Sequence, residues 1–335
     1  MTYTSDQFSK ITIPRLDFSN FSSEEADSQE AFSKDFVNSL SRFGFVTVIN
    51  HPFSDDEIEQ LFSWNQRFFA LSNEEKMKAA HPKQANPHRG YSYVGQERLT
   101  SALEIKETFD QGPSQDDIYP NRWPPESSIS GFRSSMEEFF DRCHSVHIML
   151  LGALERGLDL PPGFLSHRCL NNSSELRLNH YPSFPASEIS QAGAKRIAEH
   201  SDFGTLTLLF QDDVGGLEVE SQDRPGVFFP VAAGEGRITK EDLYVPKVLT
   251  VNAGDCLQRW TNDKLKSAVH RVVLPQGVRD DDIVRERYSA AYFAKPDREQ
   301  HVGSLTPFLE KGEEESGYER ITAWEFNQSR LGGTY

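Results

Sequence analysis

His200-Ser201-Asp202 and the distant His270 are the residues whose types and spacing suit a metal ion. In an extended segment the side chains at i and i+2 share a face, so His200 and Asp202 can point at one ion. Two histidines and one carboxylate form the set that holds one face of ferrous iron and leaves the other face open. Zinc accepts the same donors, which keeps a zinc hydrolase as an alternative on these residues alone. A lone His-x-Asp is a weak signal whose usual meaning is a turn with a hydrogen-bonded histidine. His270 strengthens it, because in Ser267-Ala268-Val269-His270-Arg271-Val272-Val273 an inward imidazole among small and β-branched residues needs a partner for its nitrogens.

The same alternation places Arg287, Ser289, Ala291 and Phe293 on one face and Tyr288, Ala290 and Tyr292 on the other. Arg287 and Ser289 together make a carboxylate clamp: two parallel guanidinium hydrogen bonds plus a hydroxyl. The alternative is an exposed ion pair of Arg287 with Asp281 or Glu286. In Leu176-Arg177-Leu178-Asn179-His180-Tyr181 the rule sets Arg177, Asn179 and Tyr181 on one face, all able to hydrogen-bond a polar ligand, with His180 turned away as a structural residue. Phe203, beside Asp202, and Phe293 are candidate aromatic walls for a flat, partly polar substrate that Arg177 would orient, although both rings could equally be core. His144 and His147 lack an accompanying carboxylate and read as ordinary histidines.

Helices and strands must position these groups. Residues 11 to 18 read as a short edge strand interrupted by Pro14, and residues 19 to 30 as loop. Phe32, Phe36, Val37 and Leu40 form a helical stripe that Gly44 ends before the strand-like Phe45-Val46-Thr47-Val48-Ile49. Ser54 with Glu57 is a capping box, and Ser72 with Glu75 starts another helix. Residues 80 to 131 are rich in Pro, Gly, Ser and Asn and read as a long irregular, functional stretch. Met136 through Leu154 predict one long amphipathic helix packed under a sheet. Period two then prevails, with strands expected at 175 to 181, 204 to 210, 217 to 221, 248 to 252, 267 to 273 and 287 to 293. Many short strands point to a sandwich, barrel or jelly roll. Tyr318, Ile321, Trp324 and Leu331 suggest a closing helix.

The chain has 335 residues, and nothing in its pattern asks for a split, so one domain over 1–335 is expected: a cover to about 165, a β core to about 300 and a C-terminal helix beyond. A net charge of -16 argues against nucleic acid, whose affinity comes from Lys and Arg. No apolar run is long enough for a membrane span. The opening Met1-Thr2-Tyr3-Thr4-Ser5 lacks the features of a secretory signal, and three spaced cysteines form neither a disulfide framework nor a zinc knuckle, so a cytoplasmic location is expected. No obligate protein partner is indicated.

Together these motifs resemble the iron(II)- and 2-oxoglutarate-dependent dioxygenases of the isopenicillin N synthase-like group, with H-x-D…H, R-x-S and N-x-Y in that family's arrangement. The likeness extends to Ile13-Pro14-Arg15-Leu16-Asp17, Gly44-Phe45, Phe68-Phe69-Ala70-Leu71, Asn252-Ala253-Gly254-Asp255 and Trp260-Thr261-Asn262. Two departures stand out: Pro52 follows Asn50-His51 where the family commonly has Gly, and the loop from Gln276 to Glu286 is longer than usual.

The resemblance implies an α+β fold: a double-stranded β-helix (jelly-roll) core with flanking N-terminal helices, a long supporting helix and a C-terminal helix. It implies Fe(II) on His200, Asp202 and His270, and 2-oxoglutarate on Arg287 and Ser289 with Tyr181 and Asn179 beside them. Dioxygen is then the second cosubstrate, and succinate and carbon dioxide are released. Leu206 to Asp212 and Trp260 to Asp263 are similar to fungal small-molecule members, including thymine hydroxylases and enzymes of polyketide pathways. A ring methyl of a small aromatic or heteroaromatic compound is therefore the expected target. Alternatives are a pyrimidine-salvage hydroxylase, an oxidase that does not use 2-oxoglutarate, and a noncatalytic binding protein.

Overall fold

A computed structural model describes residues 12–82, 87–96, 104–187, 196–240, 242–275, 277–309 and 317–331. The edge strand around Pro14 is β1 (Arg15–Asp17), which runs parallel to β2 (Phe45–Ile49). Between them α1 (Ala26–Phe43) buries the stripe Phe32, Phe36, Val37 and Leu40. It stops at Gly44, whose φ of 69° is left-handed and whose amide donates to the Leu40 carbonyl. Residues 19 to 30, expected as loop, instead hold the end of a 3-10 turn (Phe18–Asn20) and the first residues of α1. Asp27 to Glu30 are all polar, so the opening of that helix carries no apolar stripe to read.

The capping box at Ser54 and Glu57 starts α2 (Asp55–Phe69), with both reciprocal hydrogen bonds made. Ser72 caps α3 (Asn73–Met77). The stretch expected to be irregular contains two strands, β3 (Gly90–Ser92) and β4 (Glu107–Gln111). Every residue of β4 is buried, yet it reads Glu-Thr-Phe-Asp-Gln, and side chains of that polarity hide a strand from any hydrophobic pattern. The long helix is α4 (Phe132–Gly157).

The rest of the β section comprises β5 (Glu175–Tyr181), β6 (Phe184–Pro185), β7 (Ile197–His200), β8 (Leu206–Gln211), β9 (Leu217–Ser221) and β10 (Arg224–Pro230), then β11 (Gly236–Ile238), β12 (Tyr244–Pro246), β13 (Leu249–Ala253), β14 (His270–Val272), β15 (Ile283–Val284) and β16 (Arg287–Phe293). The six strands expected are there, the one at 267 to 273 shortened to β14. A short helix, α5 (Asp255–Trp260), follows β13, and α6 (Ala323–Leu331) closes the described chain, with Tyr318 and Ile321 lying before it rather than in it.

Eight strands form one sheet in the order β1-β2-β13-β8-β16-β5-β4-β3, and four form a second in the order β10-β9-β14-β7. All pairs but β1 with β2 are antiparallel. This is the expected α+β jelly roll. The long loop before β16 folds back as β15 on β6, so its extra length leaves the register of β16 on β5 intact.

Strand parity divides the large sheet's two faces. Phe210 on β8 and Tyr292 on β16 pack against Phe139 and Phe140 of α4, within a core shared with α1 and α2. His147 belongs to that helix face: it is fully buried and its Nε2 lies 2.9 Å from the Thr205 hydroxyl, an ordinary structural histidine as expected. The large sheet's other face lines, with the small sheet, a cavity that holds Arg287 and Ser289 of β16 and Glu175, Arg177, Asn179 and Tyr181 of β5. Among the described residues no helix is long and apolar enough to cross a membrane.

Candidate functional site

β7 ends on His200 and β14 begins on His270, and the two residues sit opposite each other in the antiparallel register. Their rings are 4.2 Å apart between centroids. Asp202 lies two residues beyond the end of β7, and its Oδ1 is 3.8 Å from the Nε2 of each histidine. The backbone sets the direction of both rings, for His200 Nδ1 donates to the Ala198 carbonyl at 2.8 Å and His270 Nδ1 to the Ala268 carbonyl at 3.1 Å. Carbonyls only accept, so each Nδ1 carries the proton and each Nε2 presents a lone pair inward.

The other Asp202 oxygen, Oδ2, accepts from the Thr207 hydroxyl at 2.6 Å and from Asn252 Nδ2 at 2.7 Å. Thr207 and Asn252 face each other across β8 and β13, so one rung of the large sheet fixes the carboxylate. Burial, and then the charge of His270, holds the His200 pKa well below its ordinary value. Burial pushes Asp202 up, but the two histidines, Thr207 and Asn252 outweigh it and leave its pKa lowered. Neutral imidazoles and an ionised carboxylate are the forms that bind a metal. The three ligand atoms lie within 4.8 Å of one another, so the donor set fits a single cation.

Across the cavity Arg287 and Ser289 project from β16, opposite Tyr181 and Asn179 of β5. Arg287 is only 1% exposed, and its Nη1 and Nη2 donate to Ser289 Oγ (3.2 Å) and Gln211 Oε1 (3.0 Å). Its Cζ stands 4.8 Å from the centre of the Tyr181 ring. Arg287 Nε, Asn179 Oδ1 and Gln211 Nε2 are buried without a partner. The expected alternative of an exposed ion pair with Asp281 or Glu286 is absent. An enclosed guanidinium with neutral partners only is costly, and a bound carboxylate would complete it.

Arg177, Phe203 and Phe293 line the same cavity. Arg177 enters as half of a pair, because its Nε and Nη2 reach the two oxygens of Asp110 at 2.7 and 3.2 Å. A second pair lies in the same wall, Glu175 with Lys295 at 2.6 Å, and Arg89 reaches Glu175 at 3.0 Å. Burial raises the Glu175 pKa, but Lys295 and Arg89 overcome this and hold it far below the carboxylate range. Helix α6 adds Asn327, whose Oδ1 is buried and unpartnered, so the C-terminal helix forms part of the wall.

Residues 13–126 match the family described as non-haem dioxygenase in morphine synthesis N-terminal, and residues 172–296 match the 2OG-Fe(II) oxygenase superfamily. The chain belongs to the 2OG-Fe(II) oxygenase superfamily. Among its relatives, this oxygenase is 49% identical to a 2-oxoglutarate-Fe(II) type oxidoreductase of Metarhizium rileyi, over 96% of this chain and 91% of that one. It is also 49% identical to a proline hydroxylase of Petromyces alliaceus, over 97% and 100%. The structure of the Neurospora crassa thymine 7-hydroxylase with alpha-KG superposes with a TM-score of 0.84 at 33% identity, covering 96% of each chain. This oxygenase is a 2-oxoglutarate-dependent non-haem iron dioxygenase, with Fe(II) and 2-oxoglutarate as cofactor and cosubstrate.

Several residues around its site were not singled out from the sequence as site residues. Thr207, Asn252 and Gln211 are polar residues inside apolar strands, and their parity relative to Asp202 and Ser289 is the clue that could have found them. Asp110 and Asn327 come from segments read as irregular or as a closing helix, where nothing local marks a pocket residue.

Proposed function

We propose that this dioxygenase holds Fe(II) on His200, Asp202 and His270, and receives the far carboxylate of 2-oxoglutarate on Arg287 and Ser289, with Tyr181 and Asn179 beside it. When bound, iron and 2-oxoglutarate supply the oxidation: dioxygen and 2-oxoglutarate become succinate and carbon dioxide as one substrate C–H becomes C–OH. The chain's own residues fix the donor atoms, close the anion site and orient the target carbon.

The substrate, in this reading, is a small molecule of fungal secondary metabolism that carries both charge signs, such as a cyclic amino acid. One observation carries it: the wall facing the metal residues presents Asp110 beside Arg177 and Glu175 beside Lys295, a matched array for a carboxylate and an ammonium. The 49% identity to a proline hydroxylase supports it. The expected ring methyl of an aromatic or heteroaromatic compound stays as a second reading, favoured by Phe203 and Phe293 and by the likeness to a hydroxylase solved with thymine.

Purified chain with Fe(II), ascorbate and 2-oxoglutarate should release extra succinate with L-proline or a ring-substituted proline, and the product should gain one oxygen by mass. Turnover of thymine or methylated aromatics with no response to cyclic amino acids would replace the first reading by the second. We further propose that residues 1–335 fold as one domain and work in the cytosol, where the three buried free thiols of Cys143, Cys169 and Cys256 would persist.

A further inference from the structure

One more guanidinium is enclosed, behind the cavity wall. Arg196, just before β7, is 0% exposed. Its Nη2 donates to the Arg285 carbonyl at 3.0 Å, and its Nε and Nη1 have no partner. Its Cζ lies 5.6 Å from the centre of the Tyr181 ring, the ring that Arg287 also stands over at 4.8 Å. No carboxylate among the described residues pairs with either arginine. Burial and then the charge of Arg287 lower the Arg196 pKa to about 10, while Asp212 acts in the opposite direction. That carboxylate is engaged elsewhere, on the amides of Tyr288 and Val214.

Two buried cations sharing one ring, with no carboxylate of the described residues in contact with either, destabilise the ligand-free protein, and an apolar side chain at 196 would cost less. The expense has a use if an anion arrives. We propose that Arg196 is a positioning residue for 2-oxoglutarate: with Arg287 it shares the Tyr181 ring and makes the site demand a full negative charge at the far end of the cosubstrate. Arg287 makes the contact, and Arg196 acts through Tyr181 and through space. This rests on the assignment of Arg287 as the clamp.

The test is binding under nitrogen to the full chain loaded with Fe(II), followed by absorption, with two probes. One is 2-oxoglutarate; the other is 2-oxopentanoate, which has a methyl where 2-oxoglutarate has its far carboxylate. In Arg196→Met the Kd for 2-oxoglutarate should rise about tenfold while that for 2-oxopentanoate stays put, and the ligand-free Tm should not fall. An unchanged 2-oxoglutarate Kd, or equal weakening of both probes, would overturn the proposal and make Arg196 merely structural. If Arg196→Met does not fold, Arg196→Lys decides: it keeps the charge, so it should keep the preference for 2-oxoglutarate within about threefold, and loss of that preference rules out a charge role. Arg287→Met separates the two ideas. Should it leave the 2-oxoglutarate Kd unchanged, the clamp assignment itself is wrong; should it weaken binding where Arg196→Met does not, only the role of Arg196 falls.

Discussion

Asp202 is gripped by the oxygen that faces away from the histidines, and that grip makes Thr207 a sensitive position. Thr207→Val keeps the shape of the side chain and removes one of the two donors to Oδ2. Metal affinity should drop about 10- to 100-fold, as it commonly does when an outer partner of a ligand is lost, read by Fe(II) or Mn(II) titration. Unaltered affinity would show that Asn252 alone holds the carboxylate. On this scale the sequence was most readable where strand parity applies: Arg287, Ser289, Tyr181, Asn179, Arg177 and Phe293 all face the cavity, and His180 turns away to Glu107 at 2.8 Å. Parity says which face a side chain takes but not what stands opposite. For that reason Asp110, which occupies Arg177, could not be foreseen.

Elements were legible where their stripe or their cap is plain, as in α1, α2 and α4, and hidden where burial is polar, as in β4. Gly44 shows how an element end reaches the site. A Cβ there would sit 2.6 Å from the Lys266 carbonyl oxygen and 2.7 Å from the Ala268 Cβ, at a φ that side chains rarely adopt. The Ala268 carbonyl is the acceptor that orients His270. Gly44→Ala should therefore cost more than about 1 kcal/mol of stability and also weaken metal binding, measured by denaturant unfolding and metal titration on the same sample. Intact metal affinity in the destabilised variant would confine the damage to the end of α1.

His147 ties α4 to the segment that leads into β8, and it gives the protein an acid limb. Burial, then His144, lowers its pKa from 6.5 to about 3. The unfolded chain takes up that proton near 6.5 and the folded chain does not, so the unfolded state binds more protons between those values. Stability from this residue is complete above about 6.5 and is lost as the pH falls towards 3. Urea midpoints of His147→Gln should depend less on pH across that window than those of the parent chain. Equal slopes would show that other groups govern the acid limb.

For the molecule as a whole, one core runs from the helical cover to the large sheet, with Phe36 and Phe62 in the same cluster as Phe210 and Tyr292. A single cooperative thermal transition is the expected result, and Fe(II) with 2-oxoglutarate should move it upward by mass action. Two separated transitions would divide the chain into independent units. A strand-rich core was legible from short alternating strands with turn signals, but that pattern left sandwich, barrel and jelly roll open, and it was the resemblance to the dioxygenase family that implied the jelly roll. The joining of β3 and β4 to its edge was not legible, since pairing partners so distant in sequence leave no local mark.

The metal residues also constrain time. His200 meets His270 across a strand pair, Asn252 reaches Asp202 from β13, and Phe45 of β2 packs T-shaped on His270 with ring centres 5.4 Å apart. Four separate segments must close on one another before the donors converge, and closures of that span are slow. In a refolding experiment, colour from the iron complex with 2-oxoglutarate should return with the last kinetic phase, after far-ultraviolet helix signal has recovered. The site would thus serve as a clock for completion of the sheets.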